Sequence, residues 1–426
     1  MLIRTIRWPD ERENILDHIR QVHGSDEQDL WDTWYGSMPG FDPADCFVID
    51  GEQDGQIAAH AMIIPRQMQI GESSLPVGEI ALVGVLEPYR RQGYAHALLD
   101  AAHDRMTARD DALGMLFGNP TFHAHWQYEY GVGLYLTSYE SDILTAHALK
   151  AGRWNREHSY ERRTADRLGT HSQPVTVRRF YTSDLPAVQA LYATESARGT
   201  YMMARDDAVW TWQLDYMAQI GRYEPDDFLV AEVDNRLVAY ARLVTQSPVN
   251  WFRGREAAGF SVIEAAGDHP DAVEALLGEV GRIAQTLNAE RIGLFVHPES
   301  AFMRHALARG ASLRDFTGAG YVRLHHLGQT LDRLVPTLET RRLNSRYAMR
   351  PYRLVVRTEH EQAEVYLGLG EPETVELEAP SISLVRLITG WYGIDHLSAG
   401  YHERYADLLR VLFPRRDPKI ALADLM

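Results

Sequence analysis

The segment richest in chemistry is residues 82–106, LVGVLEPYRRQGYAHALLDAAHDRM. A strand pattern ends at Val85, Pro88 stops the ladder, and Arg90, Arg91, Gln92, Gly93, Tyr94, Ala95 and His96 open a run of helix formers. The first N–H groups of a helix lack internal partners, and with the positive end of the helix dipole they make a site for a pyrophosphate. Here Gly93 lets a phosphate approach the backbone, Ala95 keeps the next turn free of bulk, and Arg90 and Arg91 add charge. A plain strand, turn and helix, with a glycine serving only the turn, would read the same way. No G-K-S/T occurs, so nucleotide hydrolysis is not supported.

A second group of reactive side chains follows: Asn119, His123, His125, Tyr128 and Tyr130. Imidazole and phenol are both proton donors and acceptors suited to general acid–base work. His123-x-His125 has no third ligand suggested by the sequence, so no metal is expected. Acidic residues Asp26, Glu27, Asp29 and Asp424, with aromatics Trp31, Trp34, Tyr35 and Phe41, are candidates to draw in and line a cationic ligand; solvated charge and core packing are their ordinary uses.

The elements that would position these groups read as a strand over 2–6, a helix over 15–22, strands over 46–50, 57–70 and 77–86, a helix over 92–109 and a strand over 113–118. A short helix near 122–128 and a last strand over 133–144 complete the run. Residues 146–173 then carry Lys150, Arg153, Arg156, Arg162, Arg163 and Arg167 without apolar periodicity, and read as a basic linker. After it the pattern restarts. VTVRRF (175–180) echoes LIRTIRW (2–8), and LFVHP (294–298) echoes LFGNP (116–120). Val85 lies 35 positions before Pro120, and Ile263 lies 35 before Pro298. From residue 328 the texture changes to a smaller domain of mixed α and β character.

Length and composition bound these readings. At 426 residues, 45% apolar and 24% charged, the chain has material for several packed cores and is not of disordered composition. A formal charge of −16 disfavours nucleic acid and anionic membrane as partners and favours cationic small molecules. Cys46, the sole cysteine, cannot form an internal disulfide, and no apolar run of membrane-spanning length occurs, so a soluble cytoplasmic protein is expected.

R-x-x-G-x-A after a strand resembles the Q/R-x-x-G-x-G/A signature of the GNAT superfamily of N-acetyltransferases, and the order of elements in residues 1–145 matches that fold. The whole chain resembles the enhanced intracellular survival (Eis) family within it. That resemblance implies an α+β protein of four parts: a GNAT domain binding acetyl-CoA over 1–145, the linker at 146–173, a second GNAT domain over 174–327, and a sterol-carrier-like domain over 328–426. In the second copy Asp268, His269, Pro270 and Asp271 stand where Arg90 to Gly93 would be, so that turn would repel a pyrophosphate. The family use implies main-chain pairing of the pantetheine arm with Val83, Gly84 and Val85, pyrophosphate on residues 91–96, and a further cofactor contact at Asn119.

The implied reaction, acetyl transfer to a primary amine, faces a proton problem: an alkylamine of pKa about 10.4 is neutral in only about one molecule in 2,500 at pH 7. The family's acid is a tyrosine, and matching Tyr130-Gly131 to the family's motif puts His125 at its position, with Tyr128 and Tyr130 as alternatives. The family's base is the terminal carboxylate, here that of Met426. Asp26, Trp34 and Asp424 are the substrate-binding candidates. The acceptor is expected to be an aminoglycoside-like molecule, a polyamine or an exposed lysine, and the assembly a homo-oligomer, a hexamer by family resemblance. The competing reading is a non-catalytic acyl-CoA or lipid binder that has lost the tyrosine acid.

Overall fold

The computed structural model describes residues 2–24, 35–117, 126–134, 137–140, 160–161, 175–199, 202–219, 227–244, 260–289, 291–313, 318–396, 400–416, 418–420 and 424. In chain order its elements are β1 (Ile3–Thr5), α1 (Arg12–His23), β2 (Cys46–Asp50), β3 (Ile57–Ile70), β4 (Ser73–Val85), α2 (Tyr94–Ala108), β5 (Leu113–Phe117), β6 (Glu129–Leu134), β7 (Thr137–Glu140), β8 (Tyr160–Glu161), β9 (Val175–Arg179), α3 (Leu185–Ala197), β10 (Met203–Ala204), α4 (Asp207–Gln219), β11 (Phe228–Val233), β12 (Arg236–Val244), β13 (Ser261–Ala266), α5 (Pro270–Thr286), β14 (Arg291–Leu294), α6 (Ala301–Ala308), β15 (Ser312–Leu313), β16 (Gly318–Leu324), α7 (Leu327–Leu343), β17 (Tyr352–Arg357), β18 (Gln362–Leu367), β19 (Glu373–Glu378), α8 (Ser381–Thr389), β20 (Gly400–Tyr401) and α9 (Ala406–Leu412). The fold is α+β, built on mixed sheets.

The chain divides into two compact units. The first holds Met1–Val132, Met203–Trp212 and Ala319–Pro418; the second holds Gly133–Met202, Gln213–Gly318 and Lys419–Met426. In the first unit one sheet runs β1-β2-β3-β4-β5-β16-β6, with β10 on β3, and a second, four-stranded sheet runs β18-β17-β19-β20. The second unit's sheet runs β15-β7-β14-β13-β12-β11-β9-β8. Read from β1 and from β9, the two large sheets repeat one topology: four antiparallel-type neighbours, a helix crossing to a parallel strand (β4 to β5, β13 to β14), and then a strand supplied from far along the chain.

That last step corrects the reading of one strand over 133–144. Residues 129–134 pair within the first sheet and residues 137–140 within the second, while β16 fills the place beside β5. Periodicity is local and pairing is not, so the pattern along 129–144 showed extended chain without showing two destinations.

Helix α2 buries Leu98, Leu99, Ala102 and Met106 against Phe47, Ile49, Ala59, Ala61, Ile63, Ile80 and Leu116 of the sheet. These are alternate residues of β2 and β3, as a strand's two-residue period requires. The other face is covered by α1 through Ile15, Leu16 and Ile19, with Gly24 just past its C-terminus. Each such aliphatic side chain contributes about 1.5–3 kcal/mol by leaving water. Helix α7 is fixed to the start of β4 by Thr337, whose Oγ1 lies 2.8 Å from Ser73 Oγ and accepts from the Ser73 N–H at 3.0 Å. The tail segment 319–418 is thereby an integral part of the unit that carries the glycine loop.

Candidate active site

Strands β4 and β5 pair over residues 77–80 and 113–116, and no pairing between them continues beyond this among the described residues. Among the described residues, residues 81–85 of β4 have only β3 beside them. The pairing with β3 also shifts: Met62 opposes Ala81, but His60 opposes Gly84, leaving two β4 residues against Ala61. Leu82 sits in this bulge at φ +53, a region that non-glycine residues rarely adopt. A bulge that increases twist and one-sided pairing together open a V in the sheet, a shape that suits an extended ligand.

Buried polar contacts brace the bulge. His60 is fully buried, and its Nδ1 lies 3.1 Å from the Leu82 carbonyl, so Nδ1 carries the hydrogen and donates. Its Nε2 is then the acceptor for the Tyr35 hydroxyl at 2.6 Å. Burial drives the His60 imidazole well below its ordinary range and holds the Tyr35 phenol protonated, so this chain of donors is fixed at neutral pH. Phe41 and Trp8 close around the Tyr35 ring at 5.8 and 6.0 Å. Behind the bulge His18 donates from Nδ1 to the Ile57 carbonyl at 2.8 Å, and desolvation pulls its pKa down to about 4.

At the end of the V the chain turns into α2. Gly93 is the N-cap at φ +84 and supplies no capping side chain, and Arg91 is also left-handed at φ +62. The first bond inside the helix is Ala97 N–H to Gly93 O at 3.0 Å, so the N–H groups of Tyr94 and Ala95 have no partner within the helix. A Cβ placed on Gly93 would meet nothing within 4 Å, which makes this a cradle open to a bulky anion. Arg90 donates to the Val85 carbonyl at 3.1 Å and Gln92 to the Pro88 carbonyl at 3.1 Å. Tyr89 stacks on Tyr94 at 6.0 Å and ties the loop to the β2–β3 turn through Gln56 and the Glu52 N–H, both 2.8 Å away.

The structure therefore brings Val83, Gly84, Val85, Arg90, Arg91, Gln92, Gly93, Tyr94, Ala95 and His96 to one end of one sheet. Tyr128 is placed elsewhere: its hydroxyl lies over Gly114, where β4 and β5 still pair, and burial raises its pKa above the ordinary phenol range. Asp424 is buried in the second unit, where Gln213 donates to it at 3.2 Å and Tyr192 at 3.4 Å. Asp26, Trp34, Asn119, His125 and Met426 lie outside the described residues, as does the side chain of Tyr130. His18, His23 and His60 were not singled out by sequence reasoning. The signal available was a histidine inside an apolar strand, IAAHAMII, and two more on a helix of matching length.

A cavity of about 450 Å³ in the same unit is lined by Asp100, His103, Asp104, Trp126, Gln127 and Arg323, with His360 at its edge. A second, of about 430 Å³, lies between α1 and the β2–β3 turn, with Glu13, Asp17 and Asp54 at its rim and His18, Ile57 and Leu86 in its wall. Among the described residues no group of three or more His, Cys, Asp or Glu could hold a metal ion, and no helix is long and apolar enough to cross a membrane.

Known proteins resemble this chain in fold. A family model described as an acetyltransferase (GNAT) domain matches residues 3–134. No curated protein matches the chain. Among solved structures, a GCN5-related N-acetyltransferase from Anabaena variabilis is 13% identical, with 99% of each chain covered and a TM-score of 0.68. One from Kribbella flavida is 14% identical over 99% of each chain, with a TM-score of 0.66. Eis1 from Mycobacterium abscessus is 14% identical over 99% of this chain and 98% of that one, with a TM-score of 0.59. Residues 3–134 thus resemble a GNAT acetyltransferase domain, and the chain as a whole has the fold of these proteins.

Proposed function

We propose that the protein is an acetyl-CoA-dependent N-acetyltransferase that modifies a primary amine of a cationic small molecule, aminoglycoside-like or polyamine, or an exposed lysine. One observation carries this reading: the uncapped, open N-terminus of α2 at Gly93 adjoins the V formed where β4 leaves β5. The pyrophosphate of acetyl-CoA would lie on residues 91–96 and its pantetheine arm along Val83 to Val85, with Arg90 released from the Val85 carbonyl to pair with phosphate. Acidic rim residues Glu13, Asp17 and Asp54 favour a cation on the α1 side of the sheet.

In this reading the chain is Eis-like, with an acetyl-CoA-binding GNAT domain over 1–145, a basic linker over 146–173, a second GNAT domain over 174–327 without a cofactor loop, and a sterol-carrier-like domain over 328–426. It works in the cytoplasm as a homo-oligomer. His125, Tyr128 or Tyr130 serves as acid, the Met426 carboxylate as base, and Asn119, Asp26, Trp34 and Asp424 remain binding candidates. The competing reading, an acyl-CoA binder without turnover, draws on the histidine at 125 where the resembling family has tyrosine. Incubation with acetyl-CoA and a panel of amines, with thiol release followed by a disulfide reagent, separates them. Release that requires an amine supports the transferase; tight binding of acetyl-CoA with no release from any amine supports the binder.

A further inference from the structure

Two imidazoles of α1 converge on the stretch of β4 that has parted from β5. A Cβ built on Gly84 would lie 3.2 Å from His18 Nε2, 3.3 Å from His23 Nε2 and 2.9 Å from Val22 Cγ1. Only a residue without a side chain lets both rings approach the strand at this point. The tautomer of His18 follows from its neighbours: the Ile57 carbonyl can only accept, so Nδ1 holds the hydrogen and Nε2 presents a bare lone pair. That nitrogen is buried against the Gly84 backbone and makes no well-formed hydrogen bond, which is costly for a polar atom and leaves it suited to a donor. His18 is 2% exposed and also lines the acid-rimmed cavity, whereas His23, at the end of the helix, is open to solvent.

We propose that His18 takes the proton of the acceptor ammonium, and that His23 passes it to solvent. This rests on the transferase reading above and puts His18 in place of the Met426 carboxylate as its proton acceptor. The N–H bond of the ammonium breaks and its proton goes to His18 Nε2; the freed lone pair attacks the acyl carbon of the thioester. The C–S bond breaks with its electron pair on sulfur, and the thiolate gains the proton that the new amide nitrogen loses. One ammonium and one thioester give one amide, one thiol and one proton, and that proton leaves through His23 to restore His18.

The groups facing His18 are Asp17, Arg20 and His23 from α1, His60 with its Tyr35 partner from β3, and the Leu82 and Gly84 backbone from β4; Glu13 and Asp54 face it across the cavity. Desolvation dominates over them and lowers the His18 pKa to about 4, so the lone pair is available throughout the neutral range.

His18→Asn is the discriminating variant, because the amide N–H can still donate to Ile57 while the Nε2 lone pair is gone. The full chain, wild type and variant, would be assayed with acetyl-CoA and two acceptors: spermidine, which is cationic, and methoxyamine, which is already neutral in the assay range. The expected result is about a 100-fold loss of kcat with spermidine and a loss of less than about threefold with methoxyamine. The Kd for acetyl-CoA should be unchanged, and the acid limb of the wild-type kcat/KM profile should disappear. Equal losses with both amines, or no loss with spermidine, would overturn the assignment while leaving the transferase reading intact. Failure of the wild type to release thiol with either amine would overturn the transferase reading, and this assignment with it.

Discussion

At the start of α2 the chain offers N–H groups that no capping side chain of the helix satisfies, a glycine cap at φ +84 and two arginines; at the start of α5, the same step of the same topology, it offers the reverse. There the His269 ring caps the helix by accepting from the Ala272 N–H at 3.4 Å, Pro270 removes one donor, and Asp271 occupies the first turn. Asp268 is held by Arg198 at 2.7 Å. The positive end of α5 is thus already satisfied by its own residues, and a pyrophosphate would meet carboxylates. The bulges differ in the same sense. Beside β4 stands the neutral, hydrogen-bonded His60, whereas the shift in β12–β13 sets Arg242 against Glu264, both fully buried. On the reading proposed above, topology alone does not make a cofactor site; a few residues at one helix start do.

Several changes would break or sharpen this contrast. The largest concerns acid stability in the first unit. The His18 pKa lies near 4 in the fold against 6.5 for a free imidazole, so the unfolded chain binds the proton more readily. The associated stability is fully present above about pH 6.5 and is lost as pH falls toward 4, amounting to about 3 kcal/mol. Melting temperature measured across that window should fall, and His18→Asn should flatten part of the decline. Next, Gly93→Val puts a branched residue at positive φ and into the open cradle, and should weaken acetyl-CoA binding at least about 100-fold by calorimetry.

His60→Phe removes both bonds that hold the bulge and strands the Tyr35 hydroxyl, at a cost of about 2 kcal/mol in denaturant unfolding. Gln92→Asp, which imports the charge of the second unit's turn, should weaken acetyl-CoA about tenfold, and less so at high salt. The smallest effect is expected for Asp268→Ala: loss of an exposed ion pair, less than about 1 kcal/mol of stability, and no change in acetyl-CoA affinity.

The sequence made this contrast legible because both helix starts are local. R-x-x-G-x-A and Asp268 to Asp271 reveal their charge and capping without knowledge of distant contacts. The repeat was legible for the same reason, as similar strand and helix periods at matched spacing. What could not be read were the long-range facts. The exchange of β7 and β16 between sheets depends on pairing partners more than about 150 residues apart, and the bulge at Leu82 depends on register with β3. The histidines followed the same rule. His18 and His60 gain meaning only because α1 packs over β3 and brings their rings to 6.2 Å, and the position of the Tyr128 hydroxyl over Gly114 likewise depends on distant packing.

The number of acetyl-CoA molecules bound per chain tests the central claim, that one of two topologically equivalent helix starts is a cofactor site. Calorimetric titration of the full chain should give one, and Gly93→Val should abolish it. Two per chain, or one that survives Gly93→Val, would contradict the account.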